Sequence, residues 1–232
     1  MDVRVIIAAA GGGTRFGQTI PKQFVQLGGE SILKHTIRRF ECCGFVEEIA
    51  VVLPPGFVLE EDIGYAKVKN HIVGKKTRAE SVYEGLKKIS HRSFTSETVV
   101  LVHDGVRPFV SEKIIENVIL EAMHRGAAIA ATKVIDTIKQ VDVWGFVSAT
   151  VNRENLWRAA TPQGFRMGIL LDSFKKAEAH GYLEAATDEA FIVEKAGFPV
   201  FIVEGNPENI KITTQSDMAI AEEFLKKEGQ HK

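Results

Sequence analysis

Three glycines in succession, Gly11, Gly12 and Gly13, follow an apolar run and lead into Thr14 and Arg15, then Pro21, Lys22 and Gln23. With no Cβ atoms in the way, backbone N–H groups at such a loop can approach a phosphate chain. Arg15 and Lys22 stand seven residues apart in the same phosphate-sized region. Fixed cations there neutralise charge that builds on a phosphoryl group during displacement, the largest catalytic contribution in such chemistry. The segment reads as a polyphosphate site, with a surface turn carrying solvated charges as the plainer alternative.

Two better-known glycine motifs do not fit. Read as G-x-G-x-x-G from Gly11, the third glycine position is Phe16, and no acidic residue stands about 20 positions further on to hold a ribose. Read as a P-loop from Gly12, the pattern reaches Gly17 but continues Gln18-Thr19, without the lysine that contacts the outer phosphates. Elsewhere, Arg78 and Ser81 open a segment of helical period, where a helix N-terminus favours anions. Asp104 directly follows an apolar run and suits a carboxylate that meets a ribose or a phosphate-bound Mg²⁺, a hard cation that takes few protein ligands. Arg107 is a candidate structural partner for the same carboxylate.

The elements that must position these residues are short Val- and Ile-rich runs alternating with helical stripes, which predicts an α/β fold with a mostly parallel sheet. The runs are residues 3–9, 46–53, 71–73, 99–103, 127–132 and 200–203. Ile32, Leu33, Thr36, Ile37 and Phe40 share one helix face, as do Val82, Leu86 and Ile89, and each face is predicted to cover the sheet. The glycine loop and His103-Asp104-Gly105-Val106-Arg107-Pro108 both lie at C-terminal strand ends, where open α/β sheets bind ligands. Residues 134–151 read as two strands around Trp144-Gly145-Phe146, a β-hairpin arm that, being marginal alone, is expected to pack on something, a second subunit being one candidate. A closing helix with Met218, Ala221 and Leu225 at helical spacing is expected to pack into the core.

Composition bounds the partners. The 29 Lys and Arg nearly balance 30 Asp and Glu, so no global positive field collects nucleic acid or an anionic membrane, and anion binding must be local. The apolar run before the glycines is too short to span a bilayer and is not followed by a cleavage signal. Cys42 and Cys43 are adjacent, which suits neither a disulfide framework nor a zinc site, and the histidines show no ligand spacing, so a cytoplasmic location without a dedicated transition-metal site is expected.

The segments Gly11-Gly12-Gly13-Thr14-Arg15, Pro21-Lys22-Gln23, Arg78-Ala79-Glu80-Ser81, His103 to Pro108, Asp136-Thr137-Ile138-Lys139, Thr161-Pro162-Gln163, Thr187-Asp188-Glu189-Ala190 and Asn209-Ile210-Lys211-Ile212-Thr213 run nearly the whole chain in order. Together the series resembles the 2-C-methyl-D-erythritol 4-phosphate cytidylyltransferases and their relatives, including ribitol 5-phosphate cytidylyltransferases. The resemblance implies a Rossmann-like sheet of the nucleotide-diphospho-sugar transferase type, one domain over residues 1–232 with a protruding arm at about 134–153, and a homodimer whose arm completes the neighbour's site. It implies that a polyol phosphate oxygen attacks the α-phosphorus of CTP, with Mg²⁺ on the nucleotide phosphates and pyrophosphate leaving, in isoprenoid precursor synthesis. Arg15, Lys22, Arg153 and Lys211 are then catalytic. Ala9, Ala10, Gly11, Gly12, Gly13, Arg78, Ser81 and Asp104 hold the nucleotide, with Asp104 on the metal side. Thr137, Arg153, Thr161, Thr187 and Lys211 bind the sugar phosphate. This chain departs from the family's frequent pattern at Gly105-Val106, where two alanines are common, and at Lys75, where a second glycine is; the first bears on sugar selection, the second on the loop beside the base. A related transfer to ribitol 5-phosphate, and a nucleotide-binding regulator without turnover, are the competing readings.

Overall fold

The computed structural model describes residues 1–12, 20–59 and 64–230. Its centre is a seven-stranded sheet built from β1 (Val3–Ala8), β4 (Val46–Leu53), β5 (Val68–Val73), β6 (Val99–Asp104), β7 (Ala127–Lys133), β10 (Trp157–Arg166) and β11 (Phe201–Glu204), in the order β11-β7-β10-β6-β1-β4-β5. The β1–β4, β1–β6, β4–β5 and β7–β11 pairings are parallel, whereas β10 runs antiparallel to both β6 and β7. Two minimal strands, β2 (Gln26–Leu27) and β3 (Glu30–Ser31), form a small hairpin, and β8 (Ile138–Val141) with β9 (Val147–Val151) forms the arm.

Strand alternation sorts side chains to two faces. Val3, Val5 and Ile7 of β1 join a cluster under α1 (Ile32–Glu41) and α3 (Glu112–Arg125), while Ile6 between them points into the opposite cluster, beneath α2 (Arg78–Ser90), α4 (Met167–Ala179) and α5 (Glu189–Lys195). The predicted stripes hold: Ile32, Leu33, Thr36, Ile37 and Phe40 are buried, as are Val82, Leu86 and Ile89. Gly85 brings α2 onto the sheet, since a Cβ there would sit 3.0 Å from Ile6 Cγ2. A third cluster joins Ile32, Val106, Phe109 and Ile212 to Met218 and Ala221 of α6 (Gln215–Gln230); Leu225, expected in the core, is only partly buried there.

Helix starts are capped by the residues that composition would nominate. Ser31, Thr77, Ser111 and Asp188 each accept a backbone N–H of the first turn, and Thr77 with Glu80 forms a complete capping box on α2. Gly126 closes α3 with φ of 94°, a backbone position that disfavours a side chain.

Three sequence expectations need correction. The run at 71–73 is the end of a longer edge strand that starts at Val68. The strands of the arm are shorter than residues 134–151, and among the described residues Ile135, Val143, Trp144, Phe146 and Val147 of the arm are all exposed. The third concerns β10, absent from the sequence reading. Its residues Trp157-Arg158-Ala159-Ala160-Thr161-Pro162 carry no clean alternation, and a proline argues against a central strand. The pairing with β7 shifts register between Ala159 and Gln163, around that proline, and resumes beyond it.

Candidate active site

The cavity lies over the C-terminal ends of β1, β4, β5 and β6, at the point where the connections diverge, and holds roughly 310 Å³. Its floor is the main chain of Ala8, Ala9, Ala10, Gly11 and Gly12; Lys75, Lys76, Thr77, Arg78 and Ser81 form one wall, and Asp104, Val106, Lys211 and Thr213 another, with Lys22 and Gln23 between. Five lining cations against one lining carboxylate make this a local anion site in a chain whose net charge is −1.

Each wall is locked by hydrogen bonds that follow from local sequence. Gln23 is buried, and its Nε2 donates to the carbonyls of Ala9 at 2.6 Å and Gly11 at 3.1 Å, so the turn carrying Lys22 is stitched to the glycine loop. Opposite, the Gly74 N–H donates to Leu53 O at 2.8 Å, the Lys75 N–H to Ser81 Oγ at 2.9 Å, and Ser81 Oγ to Thr77 O at 2.7 Å. A Cβ on Gly74 would fall 2.2 Å from Ala10 Cβ, so this loop and the start of the glycine loop lie in direct contact.

Asp104 is the electrostatic hub. It is buried, and its Oδ2 accepts from Lys211 Nζ at 3.0 Å and Arg107 Nε at 3.1 Å, while Oδ1 faces Arg78 Nε at 3.2 Å. Burial alone would raise its pKa, but Arg78, Lys211 and Arg107 together outweigh that and hold the carboxyl well below the usual range. Arg78 also donates to Glu189 Oε1 at 2.6 Å. Its burial opposes the charged form, yet the Glu189 and Asp104 carboxylates hold the guanidinium firmly protonated. Behind this cluster, the Asp104 N–H donates to Thr161 Oγ1 at 3.1 Å, Asn209 Nδ2 donates to Thr161 O at 2.8 Å, and Arg107 Nη1 donates to Asn209 O at 2.9 Å. His103 is fully buried, which lowers its imidazole to about 4, so it is neutral and its Nε2–H donates to Arg107 O at 3.1 Å.

Ala9, Ala10, Gly11, Gly12, Lys22, Arg78, Ser81, Asp104 and Lys211 thus converge on one cavity. Arg15 and Gly13 lie outside the described residues. Thr161 reaches the cavity through the Asp104 N–H rather than by lining it. Thr187 is exposed beside the N-cap of α5, and Thr137 and Arg153 are exposed at the base of the arm, where Arg153 donates to the Ile135 carbonyl; none of the three lines the cavity of the same chain. Arg107 pairs with Asp104 as the sequence suggested, and it does not itself line the cavity. Gln23, Asn209 and Glu189 were quoted in motifs without a role; buried polar residues beside a glycine loop or a cation carry no signal in sequence until the fold brings them together.

Among the described residues no group of three His, Cys, Asp or Glu side chains stands ready to enclose a metal. Asp104 Oδ1, with one partner among the described residues, retains acceptor capacity for a single contact of the kind a nucleotide-borne Mg²⁺ makes.

A mostly parallel sheet that opens a cation-walled, glycine-floored cavity at its switch point defines a nucleotidyltransferase of Rossmann-like architecture. A family model for 2-C-methyl-D-erythritol 4-phosphate cytidylyltransferase matches residues 3–227, and the chain belongs to that family. Relatives of that name from Syntrophus aciditrophicus and Geotalea uraniireducens are 40% and 41% identical over 232 residues, in each case 97% of this chain and 97% of the relative. The crystal structure of the Thermus thermophilus protein of that name superposes with a TM-score of 0.81 at 34% identity, covering 97% of this chain and all of the other. The Francisella tularensis protein gives 0.81 at 33%, over 95% and 98%. No helix among the described residues is long and apolar enough to cross a membrane.

Proposed function

We propose that residues 1–232 form one nucleotidyltransferase domain that joins the cytidylyl group of CTP to 2-C-methyl-D-erythritol 4-phosphate through the cavity over the glycine loop. The observation that carries the assignment of residues is the arrangement of Lys22, Arg78 and Lys211 around that loop, with Asp104 tying the last two together. A phosphate oxygen of the sugar phosphate attacks the α-phosphorus; the new O–P bond forms as the bond to the β-phosphate oxygen breaks, and pyrophosphate leaves in line. Backbone groups from Ala9 to Gly13 hold the nucleotide, with Arg78 and Ser81 beside it. Arg15 and Lys22 neutralise charge on the transferring group and the departing pyrophosphate.

Lys211 serves two masters: it pairs with Asp104 and, being 40% exposed, presents the rest of its ammonium to the incoming phosphate. The family pattern adds to that side Thr161, which here braces the Asp104 amide, and Thr187, exposed beside the N-cap of α5. Asp104 would hold a Mg²⁺ carried by the nucleotide, an ion that supplies charge neutralisation to the phosphates when bound.

Thr137 and Arg153 reach a site only from a second chain. The exposed Ile135, Val143, Trp144, Phe146 and Val147 of the arm form an apolar surface that a homodimer would cover, bringing those two residues to the neighbour's cavity. Substrates are small anions, neither nucleic acid nor membrane, and the location is cytoplasmic.

Pyrophosphate release tests the reading. With Mg²⁺ present, release is expected with CTP and methylerythritol phosphate, and little with ATP, GTP or UTP; preference for ribitol 5-phosphate would move the chain to the sister activity, and silence with every pair would overturn the catalytic assignment.

A further inference from the structure

Glu189 takes no part in the chemistry above, yet it is the least comfortable side chain near the cavity. It is wholly buried at the first position of α5. Oε1 accepts from Arg78 Nη1 at 2.6 Å, and Oε2 has no hydrogen-bond partner among the described residues. A buried carboxylate with half its acceptors unmet is a poor stabilising device, and an apolar or amide side chain of the same volume would serve the core better. Its charge has one evident object, Arg78.

Arg78 is held between two carboxylates on different elements. Nη1 goes to Glu189 on α5 and Nε to Asp104 on β6, which already carries Arg107 and Lys211. A guanidinium is a rigid planar fork, so anchors on two of its nitrogens set its plane. They leave Nη2 as the nitrogen with no partner among the described residues, on a side chain that lines the cavity and is 27% exposed. Without Glu189, the nearest anion to the whole fork is Asp104, and Arg78 would fold onto that carboxylate in competition with two other cations.

We propose that Glu189 is a positioning residue for the nucleotide: by drawing Nη1 toward α5, it holds Arg78 open to the cavity as a donor for nucleotide oxygens. The inference rests on the reading of Arg78 as a nucleotide contact. The charged groups that face Glu189 are Arg78 from α2, Asp104 from β6 and Asp188 beside it; from β10 the neutral Gln163 bonds the Ala190 N–H and Asp188 Oδ2, bracing the start of α5. Burial pushes the Glu189 carboxyl up despite Arg78, so acid neutralises it before an ordinary glutamate. The sign follows: folding favours its protonated form over its ionised one.

The experiment compares Glu189→Gln, Arg78→Ala and the parent protein, each as the full chain with CTP and methylerythritol phosphate. Glu189→Gln is expected to raise KM for CTP about tenfold, the loss of one well-placed charge-assisted hydrogen bond, with KM for the sugar phosphate unchanged. The acid-side fall in kcat/KM for CTP should also move, because the variant has no carboxyl to protonate. A lowered melting temperature with unaltered KM for CTP would make Glu189 a scaffold residue and overturn the proposal. Arg78→Ala separates the two layers: if it leaves KM for CTP unchanged, the Arg78 contact itself is wrong; if it raises KM while Glu189→Gln does not, the positioning role fails alone.

Discussion

Replacing Gly74 by alanine adds one carbon where the loop after β5 touches the glycine loop. The added Cβ would sit 2.2 Å from Ala10 Cβ, 3.2 Å from Leu53 O and 3.2 Å from Ser81 Oγ. Carbon atoms settle at about 3.5–4.0 Å, so roughly 1.5 Å of movement must be found. Little slack exists to supply it: Gly74 N is bonded to Leu53 O, Ser81 Oγ is fixed by Lys75 and Thr77, and Gln23 grips the Ala9 carbonyl behind Ala10. Gly74 has no positive φ, so the backbone itself accepts alanine and the whole effect is steric. Overpacking of this kind costs about 1–3 kcal/mol, or roughly 3–10 °C in melting temperature for a chain of this size. Catalysis should suffer more, because a displacement of about 1 Å in a site that works by positioning can cost about a hundredfold. Scanning calorimetry and steady-state kinetics against CTP measure both. Near-parental kcat/KM for CTP with an unchanged melting temperature would refute the claim that the two loops brace each other.

Other consequences are as open to measurement. Asp104→Asn should lower stability by about 2–4 kcal/mol at pH 7, below the full cost of orphaning a buried ion pair because Arg78 and Lys211 are partly solvated. Since the folded carboxyl is depressed, that difference should persist from neutral pH down to about 4 and shrink only below it, as the unfolded carboxyl protonates; urea titrations at pH 7, 5 and 3 test this. His103 adds an earlier slope: folding holds it near 4 instead of 6.5, so stability should decline by about 3 kcal/mol between pH 6.5 and 4, and His103→Asn should flatten that decline. For the proposed shared site, mixing Lys22→Ala and Arg153→Ala proteins through denaturation and refolding should restore about one quarter of parental turnover, since half the dimers would be mixed and each would have one intact site. No recovery despite dimer formation would place Arg153 in its own chain's site.

Much of the cavity was legible in sequence because its parts obey local rules. The glycine loop, the helix that opens at Arg78 and the aspartate after the β6 run each announce themselves within a few residues, and strand-end geometry gathers them. Strand β10 was hidden because its evidence is tertiary: an antiparallel strand interrupted by Pro162 is stable only once β6 and β7 offer edges on both sides. Glu189 was hidden for a related reason, since nothing in Thr187-Asp188-Glu189-Ala190 tells an exposed first-turn glutamate, the common case, from one driven into the core against an arginine 111 residues away. The arm was seen, but its apolar residues read as ordinary β-propensity until the fold leaves them exposed among the described residues.

Strand β10 begins at the foot of the arm, where Leu156 O receives the Val134 N–H and Trp157 pairs with Lys133, and runs into the core, where Phe165 is fully buried one residue before its end. Midway it presents the Thr161 hydroxyl to the Asp104 amide. The path along β10 from the arm to the carboxylate that gathers Arg78, Arg107 and Lys211 is thus only a few residues long. In the proposed dimer clasped through its arms, the element that joins the subunits would be continuous with the strand whose Thr161 hydroxyl meets the Asp104 amide.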